Sequence, residues 1–173
     1  MPLLTNALTT VEKYKTYMEL DLDDTSRDAA IEIAINAVSE WLEGECRRKF
    51  VLATYSETLQ GNGRSKLLLP QYPVQCIQNL LPEQAYTLLP EEGSLYCLAG
   101  WQGEITVEYT AGYPVIPPDL ETACMDCVTM RLEMKSSNHL KTEVIGPLRS
   151  EYLAELPYAI QSVIDSYRRV VVA

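Results

Sequence analysis

The sequence predicts a mixed α+β fold, mainly a helical bundle of about four helices with a small antiparallel β-sheet inserted between the second and third. Three observations carry this. An apolar stripe at helical spacing runs through residues 25–46, clean alternation of apolar and polar residues marks 104–109, and Pro117-Pro118-Asp119 restarts a helical pattern.

Each element has a local cause. Thr9-x-x-Glu12 reads as a capping box that opens a helix over 10–18, with Val11, Tyr14 and Met18 at i, i+3 and i+7. After an acidic connector, Asp24 or Thr25 is placed to cap the helix over 25–46. Ile31, Ala34, Ile35, Val38, Trp41 and Leu42 form its apolar stripe, and Asp28, Glu32, Asn36, Glu40 and Glu43 lie opposite. Arg47-Arg48-Lys49 complement the dipole at its end.

From Leu52 the period changes to two. Residues 55–59 alternate, Gly61-Asn62-Gly63 turns and 66–69 returns, which predicts a β-hairpin. Further short strands are expected at 74–78, 86–89, 94–98 and 104–109, giving a β-region over 52–112. Helices then follow over 118–135, with Pro at the first position and acid in the first turn, and over 157–170 after Pro157. The whole chain, 1–173, reads as one domain.

Composition narrows the function. The net charge is −10, and residues 1–45 hold ten acidic residues against three basic ones. Such a surface repels phosphate and lacks the counterion release that drives nucleic-acid affinity; solubility alone also explains it. No apolar run approaches the length of a membrane span. The start, Met1-Pro2-Leu3-Leu4, lacks the basic-then-apolar pattern of a leader, so the chain is expected to be made in a cytosol, with its five cysteines reduced.

The candidate chemistry is sparse. Cys124-x-x-Cys127 falls inside a predicted helix on its apolar stripe, where thiols pack as small hydrophobes. A zinc site wants two more ligands, and the one histidine, His139, lies in a polar stretch elsewhere. A thiol or metal enzyme using Cys124 and Cys127 is therefore the rival reading. Gly61-Asn62-Gly63 lacks the Lys-Ser/Thr of a phosphate loop. No cofactor, metal or catalytic residue is expected.

Residues 136–156 show no sustained period yet carry Leu140, Val144, Ile145, Leu148, Tyr152 and Leu153. A stretch so apolar covers either its own domain or a neighbouring subunit. The second is the hypothesis taken forward, and Tyr167, Arg168, Arg169, Val170, Val171 and Val172 join it as contact candidates. The last three form a β-prone end that packs on its own chain or is donated to a partner's sheet edge.

Read in order, several blocks resemble the head–tail connector (adaptor, or head-completion) proteins of tailed bacteriophages. They are Leu8-Thr9-Thr10-Val11-Glu12-Lys13-Tyr14, Trp41-Leu42-Glu43-Gly44-Glu45-Cys46-Arg47-Arg48-Lys49-Phe50, Leu67-Leu68-Leu69-Pro70-Gln71-Tyr72-Pro73, Val107-Glu108-Tyr109-Thr110-Ala111-Gly112-Tyr113 and Ile116-Pro117-Pro118-Asp119-Leu120-Glu121, closed by Asp165-Ser166-Tyr167-Arg168-Arg169. The resemblance implies a non-enzymatic virion protein made in the bacterial host cytoplasm and placed at the head–tail junction. It implies a ring of about a dozen copies that binds the portal protein and a stopper or tail-completion protein. DNA is then only passing cargo, and no membrane is involved. A different virion part, a tail terminator or stopper, is the alternative. In the ring, Glu19, Asp21, Asp23, Asp24, Asp28 and Glu32 are candidates to face the channel.

Overall fold

The computed structural model describes residues 2–137 and 156–169, and the chain divides into two compact units. One, over 1–47 and 116–173, is helical; the other, over 48–115, is built of strands. The architecture is α+β, with four helices and two small antiparallel sheets among the described residues.

In the helical unit α1 spans Val11–Tyr17, α2 Asp28–Cys46, α3 Pro118–Ser137 and α4 Tyr158–Tyr167. Most of the apolar stripe of α2 is buried as its spacing demands: Ile31, Ala34, Ile35, Val38 and Leu42 are almost inaccessible, whereas Trp41, at the edge of the stripe, is only half-buried. Against it pack Leu120, Ala123, Cys124 and Val128 of α3, with Ile160 and Ile164 of α4 completing the core.

Both helix starts differ from the sequence expectation. Thr10, not Thr9, caps α1, its hydroxyl accepting the Lys13 N–H at 3.3 Å. The Thr9 hydroxyl is instead buried and makes no cap bond. Arg27 stands at the N-cap of α2 without a side-chain cap bond, because Asp24 instead accepts the Ser26 N–H at 3.0 Å in a tight local turn. The polar face of α2 is also not simply solvated: Asn36 and Glu43 are buried. At the C-terminus Arg47 adopts φ 55° and closes the helix with its own N–H to Glu43 and Gly44 carbonyls.

In the β-unit β1 (Ala53–Asn62), β6 (Gln102–Ala111) and β3 (Val74–Leu81) form one sheet in the order β1-β6-β3. Strands β2 (Lys66–Leu68), β5 (Ser94–Tyr96) and β4 (Thr87–Leu89) form a second, ordered β2-β5-β4. The expected single sheet is thus two.

The expected hairpin of residues 55–69 does not form. β1 pairs with β6 from Ala53↔Ala111 to Asn62↔Gln102, while β2 pairs with β5. Two ten-residue strands with matching alternation offer one long ladder, which outweighs the local pairing of β1 with a three-residue β2. The Gly61-Asn62-Gly63 turn carries the chain from one sheet to the other. Its geometry is set by Trp101, whose carbonyl accepts the Gly63 N–H at 2.6 Å.

Trp101 is itself buried between the sheets' core residues Leu95, Ile105 and Val107, its indole N–H donating to the Leu95 carbonyl at 3.0 Å. Arg48 is a second departure. Its side chain does not serve the α2 dipole; it is 5% exposed, and its guanidinium stacks 3.9 Å from the Tyr72 ring centroid and 5.2 Å from that of Phe50.

Candidate assembly surface

The acidic connector between α1 and α2 is organised by a cation. Lys15, only 4% exposed, donates from Nζ to the Asp24 carbonyl at 2.8 Å and the Leu22 carbonyl at 3.3 Å, and pairs with the Asp28 carboxylate at 2.6 Å. The loop therefore wraps an ammonium group that supplies the donors its carbonyls need. Of the acids proposed for a channel, Glu19, Asp21, Asp23 and Asp24 are exposed, whereas Asp28 and Glu32 are half-buried. Hydrogen bonds from Ser26 lower the Asp24 pKa, so its charge persists. Lys15 was not singled out from the sequence, although it follows Val11 by four residues and so falls on the side of α1 that packs.

A second ordered feature is the N-terminal arm, residues 2–8, which α2 holds through side chains. Asn36 accepts the Leu4 N–H at 2.9 Å and donates to the Pro2 carbonyl at 3.1 Å. Ser39 accepts the Leu8 N–H at 3.0 Å, and Glu43 accepts from the Asn6 amide at 2.9 Å. Positions 36, 39 and 43 share one helix side, and each buried polar group finds a partner in the arm.

The cysteine pair sits in the core. Burial, above all, pushes the Cys124 thiol up to about 12 and the Cys127 thiol up to about 11. Cys124 lies 3.9 Å from the Ser39 hydroxyl. Such thiols are protonated and packed as small hydrophobes at neutral pH. Among the described residues no three His, Cys, Asp or Glu side chains converge as a metal site would require.

The contact candidates at the end of α4 are engaged within the chain. The Tyr167 hydroxyl donates to Asp119 at 2.8 Å, Arg168 reaches Asp165 at 3.1 Å and Glu45 at 3.6 Å, and the Arg169 N–H donates to the Cys46 carbonyl at 2.9 Å. Leu140, Val144, Ile145, Leu148, Tyr152, Leu153, Val170, Val171, Val172 and His139 lie outside the described residues.

The chain thus offers an ordered acidic loop, a strapped helix and a pair of β-sheets, and its Cys124 and Cys127 are core. A family model of head completion proteins matches residues 7–170. The chain belongs to the head completion protein family. Solved structures similar to this head completion protein share its fold along its length. One, the neck of an empty gene transfer agent particle with C6 symmetry, aligns with a TM-score of 0.67 and 18% identity, covering 100% of this chain and 95% of that one. A second, the neck of the native particle with C12 symmetry, gives 0.64 and 17% over 100% and 94%. A third, the virion of the native gene transfer agent, gives 0.66 and 17% over 100% and 95%. Among curated proteins none matches. The family agrees with the resemblance carried by the ordered sequence blocks.

Proposed function

We propose that this head completion protein is a non-enzymatic structural part of the head–tail junction of a phage-like particle. Copies assemble as a ring of about a dozen beneath the portal protein, receive a stopper or tail-completion protein, and leave a passage for DNA. The observation that carries the reading is the family match over residues 7–170, on a fold shared with particle necks. The apolar segment 136–156 and the end of the chain are proposed as subunit and partner contacts, working with the rest of the chain as one connector domain. Exposed Asp23 and Asp24 are proposed to face the passage, where carboxylates repel phosphate and let DNA slide.

The rival, a thiol or metal enzyme at Cys124 and Cys127, is disfavoured by chemistry. Nucleophilic and ligating cysteines need the thiolate, and burial holds both groups protonated. The test is genetic and structural together. Loss of the gene is expected to leave heads without tails, restored by the wild-type chain and equally by a Cys124→Ala, Cys127→Ala double variant. Tailed, infectious particles without the chain would overturn the proposal.

A further inference from the structure

We infer that neighbouring copies meet tip to cleft: Leu98 of one copy, beside Arg64, seats in the cleft formed by α1, α2 and α3 of the next. The inference rests on the ring reading above and goes further by naming both halves of the contact.

The tip comes from the smaller sheet. Lys66-Leu67-Leu68-Leu69, Thr87-Leu88-Leu89 and Ser94-Leu95-Tyr96 are nearly continuous apolar runs, the pattern of strands covered on both faces. Leu67 and Leu95 do enter the core, but Leu68, Leu89 and Tyr96 stay 36–41% exposed. Two residues beyond Tyr96, Leu98 is 88% exposed, the most open of the chain's described aliphatic side chains together with Val115 at 78%. It is nonetheless held out on an ordered turn. The Gly100 N–H donates to the Cys97 carbonyl at 3.2 Å, the Cys97 N–H to Ser65 at 2.7 Å and the Trp101 N–H to Arg64 at 2.9 Å. These bonds place exposed Arg64 next to the turn and fix an apolar, cationic projection. A large aliphatic group so presented marks a contact.

The cleft is its complement. Tyr14, Met18, Leu20, Ile31, Thr129 and Leu132 line a space of about 170 Å³ that opens to solvent. A cavity of about 150 Å³ holds benzene, so this one is of the size for a leucine side chain. Arg27 and Glu133 also line it and offset one another in sign. Exposed Glu19 and Asp21 flank Leu20, so the surroundings are acidic where the tip carries Arg64. Under this inference Glu19 and Asp21 serve the subunit contact, and the passage is left to Asp23 and Asp24.

The two halves are different surfaces of the same chain. A contact of that kind is heterologous and, when its rotation closes, generates a ring rather than a dimer. A chain of net charge −10 also repels its copies, so a junction that pairs a cation with the acidic loop is the economical one.

The test uses the full chain in particles. In a Cys76→Ser background, Leu20→Cys and Leu98→Cys are made singly and together, and particles are treated with copper phenanthroline before a non-reducing gel. The double variant is expected to run as a ladder of chain multiples, and each single variant as one band. The chain present in particles without a ladder overturns the inference and leaves the ring reading standing; wild-type particles lacking the chain overturn both. Charge exchange covers a variant that fails to enter the particle. Arg64→Glu and Glu19→Lys are each expected to lower incorporation about tenfold, and together to return it to within about twofold of wild type. Losses that simply add would overturn the pairing.

Discussion

The Lys15 ammonium stands 2.6 Å from the Asp28 carboxylate and serves two carbonyls of the loop between them. An acidic segment of this kind would be expected to be solvated and loose, yet one buried cation gives it a fixed course. Lys15→Met removes the charge while keeping the stem. Breaking a buried pair from one side costs about 3–5 kcal/mol, and Asp28 is partly open to water, so a loss of about 2 kcal/mol is expected. Urea unfolding followed by circular dichroism measures it. Lys15→Arg should recover less than half, since a planar fork does not replace a point ammonium.

The arm on α2 is held mainly through its own backbone. Asn36→Leu keeps the branched side-chain shape, though it is bulkier, and removes both bonds, to Leu4 and Pro2. With each hydrogen bond worth about 1 kcal/mol net, a destabilisation of about 1–2 kcal/mol is expected. The sharper readout is hydrogen exchange. The Leu4 amide should lose its protection, while the Leu8 amide, bound to Ser39 and attached to a side chain that is 1% exposed, keeps it.

The cysteines make a pH prediction. Cys124 and Cys127 titrate near 12 and 11 in the folded chain, against 9.0 for an ordinary thiol. A raised thiol value means the folded state favours the protonated form. The stability this gives is complete below about pH 9 and is lost as pH climbs from there through 11 to 12. A Cys124→Ala, Cys127→Ala variant should therefore show a shallower fall in melting temperature between pH 9 and 11 than the wild type. In native protein at pH 8 a thiol reagent should label Cys76, the exposed one, and reach the four buried cysteines only on unfolding.

What could be read from the sequence was whatever local periodicity decides. The stripe of α2, Trp41 apart, and the alternation of β6 bury the residues their spacing assigns, because one face of each meets a core. What escaped depends on partners far apart in the chain. Asn36 and Glu43 look like a solvated face until the arm, more than thirty residues earlier, lies across them. Arg48 looks like a helix-end cation until Tyr72 and Tyr113 close around it. The acids at 19–24 were visible, but Lys15, which orders them, differs from a surface lysine only by its contacts. The family was legible because it rests on the order of many weak blocks, each set by such local patterns.

The pairing of β1 with β6, and of β2 with β5, sets apart two glycines of one turn. A Cβ on Gly61 would lie 2.5 Å from the Trp101 carbonyl carbon and 2.7 Å from the Gln102 nitrogen, both backbone atoms at the end of the β1–β6 ladder. Neither can move without opening that ladder or shifting Trp101, which is 1% exposed. Gly63 has open space around it and needs glycine only for its φ of +83°. Left-handed backbone costs a residue with a Cβ roughly 1 kcal/mol, so Gly63→Ala should lower stability by about that amount, and Gly63→Asn by less. Gly61→Ala meets a steric clash and should cost at least about 2 kcal/mol, with a matching change in Trp fluorescence as Trp101 loses its packing. Were these glycines the turn of a local hairpin between β1 and β2, the order would reverse, with the left-handed Gly63 the more sensitive. Urea melts of the two variants, monitored by tryptophan emission, decide between the pairings.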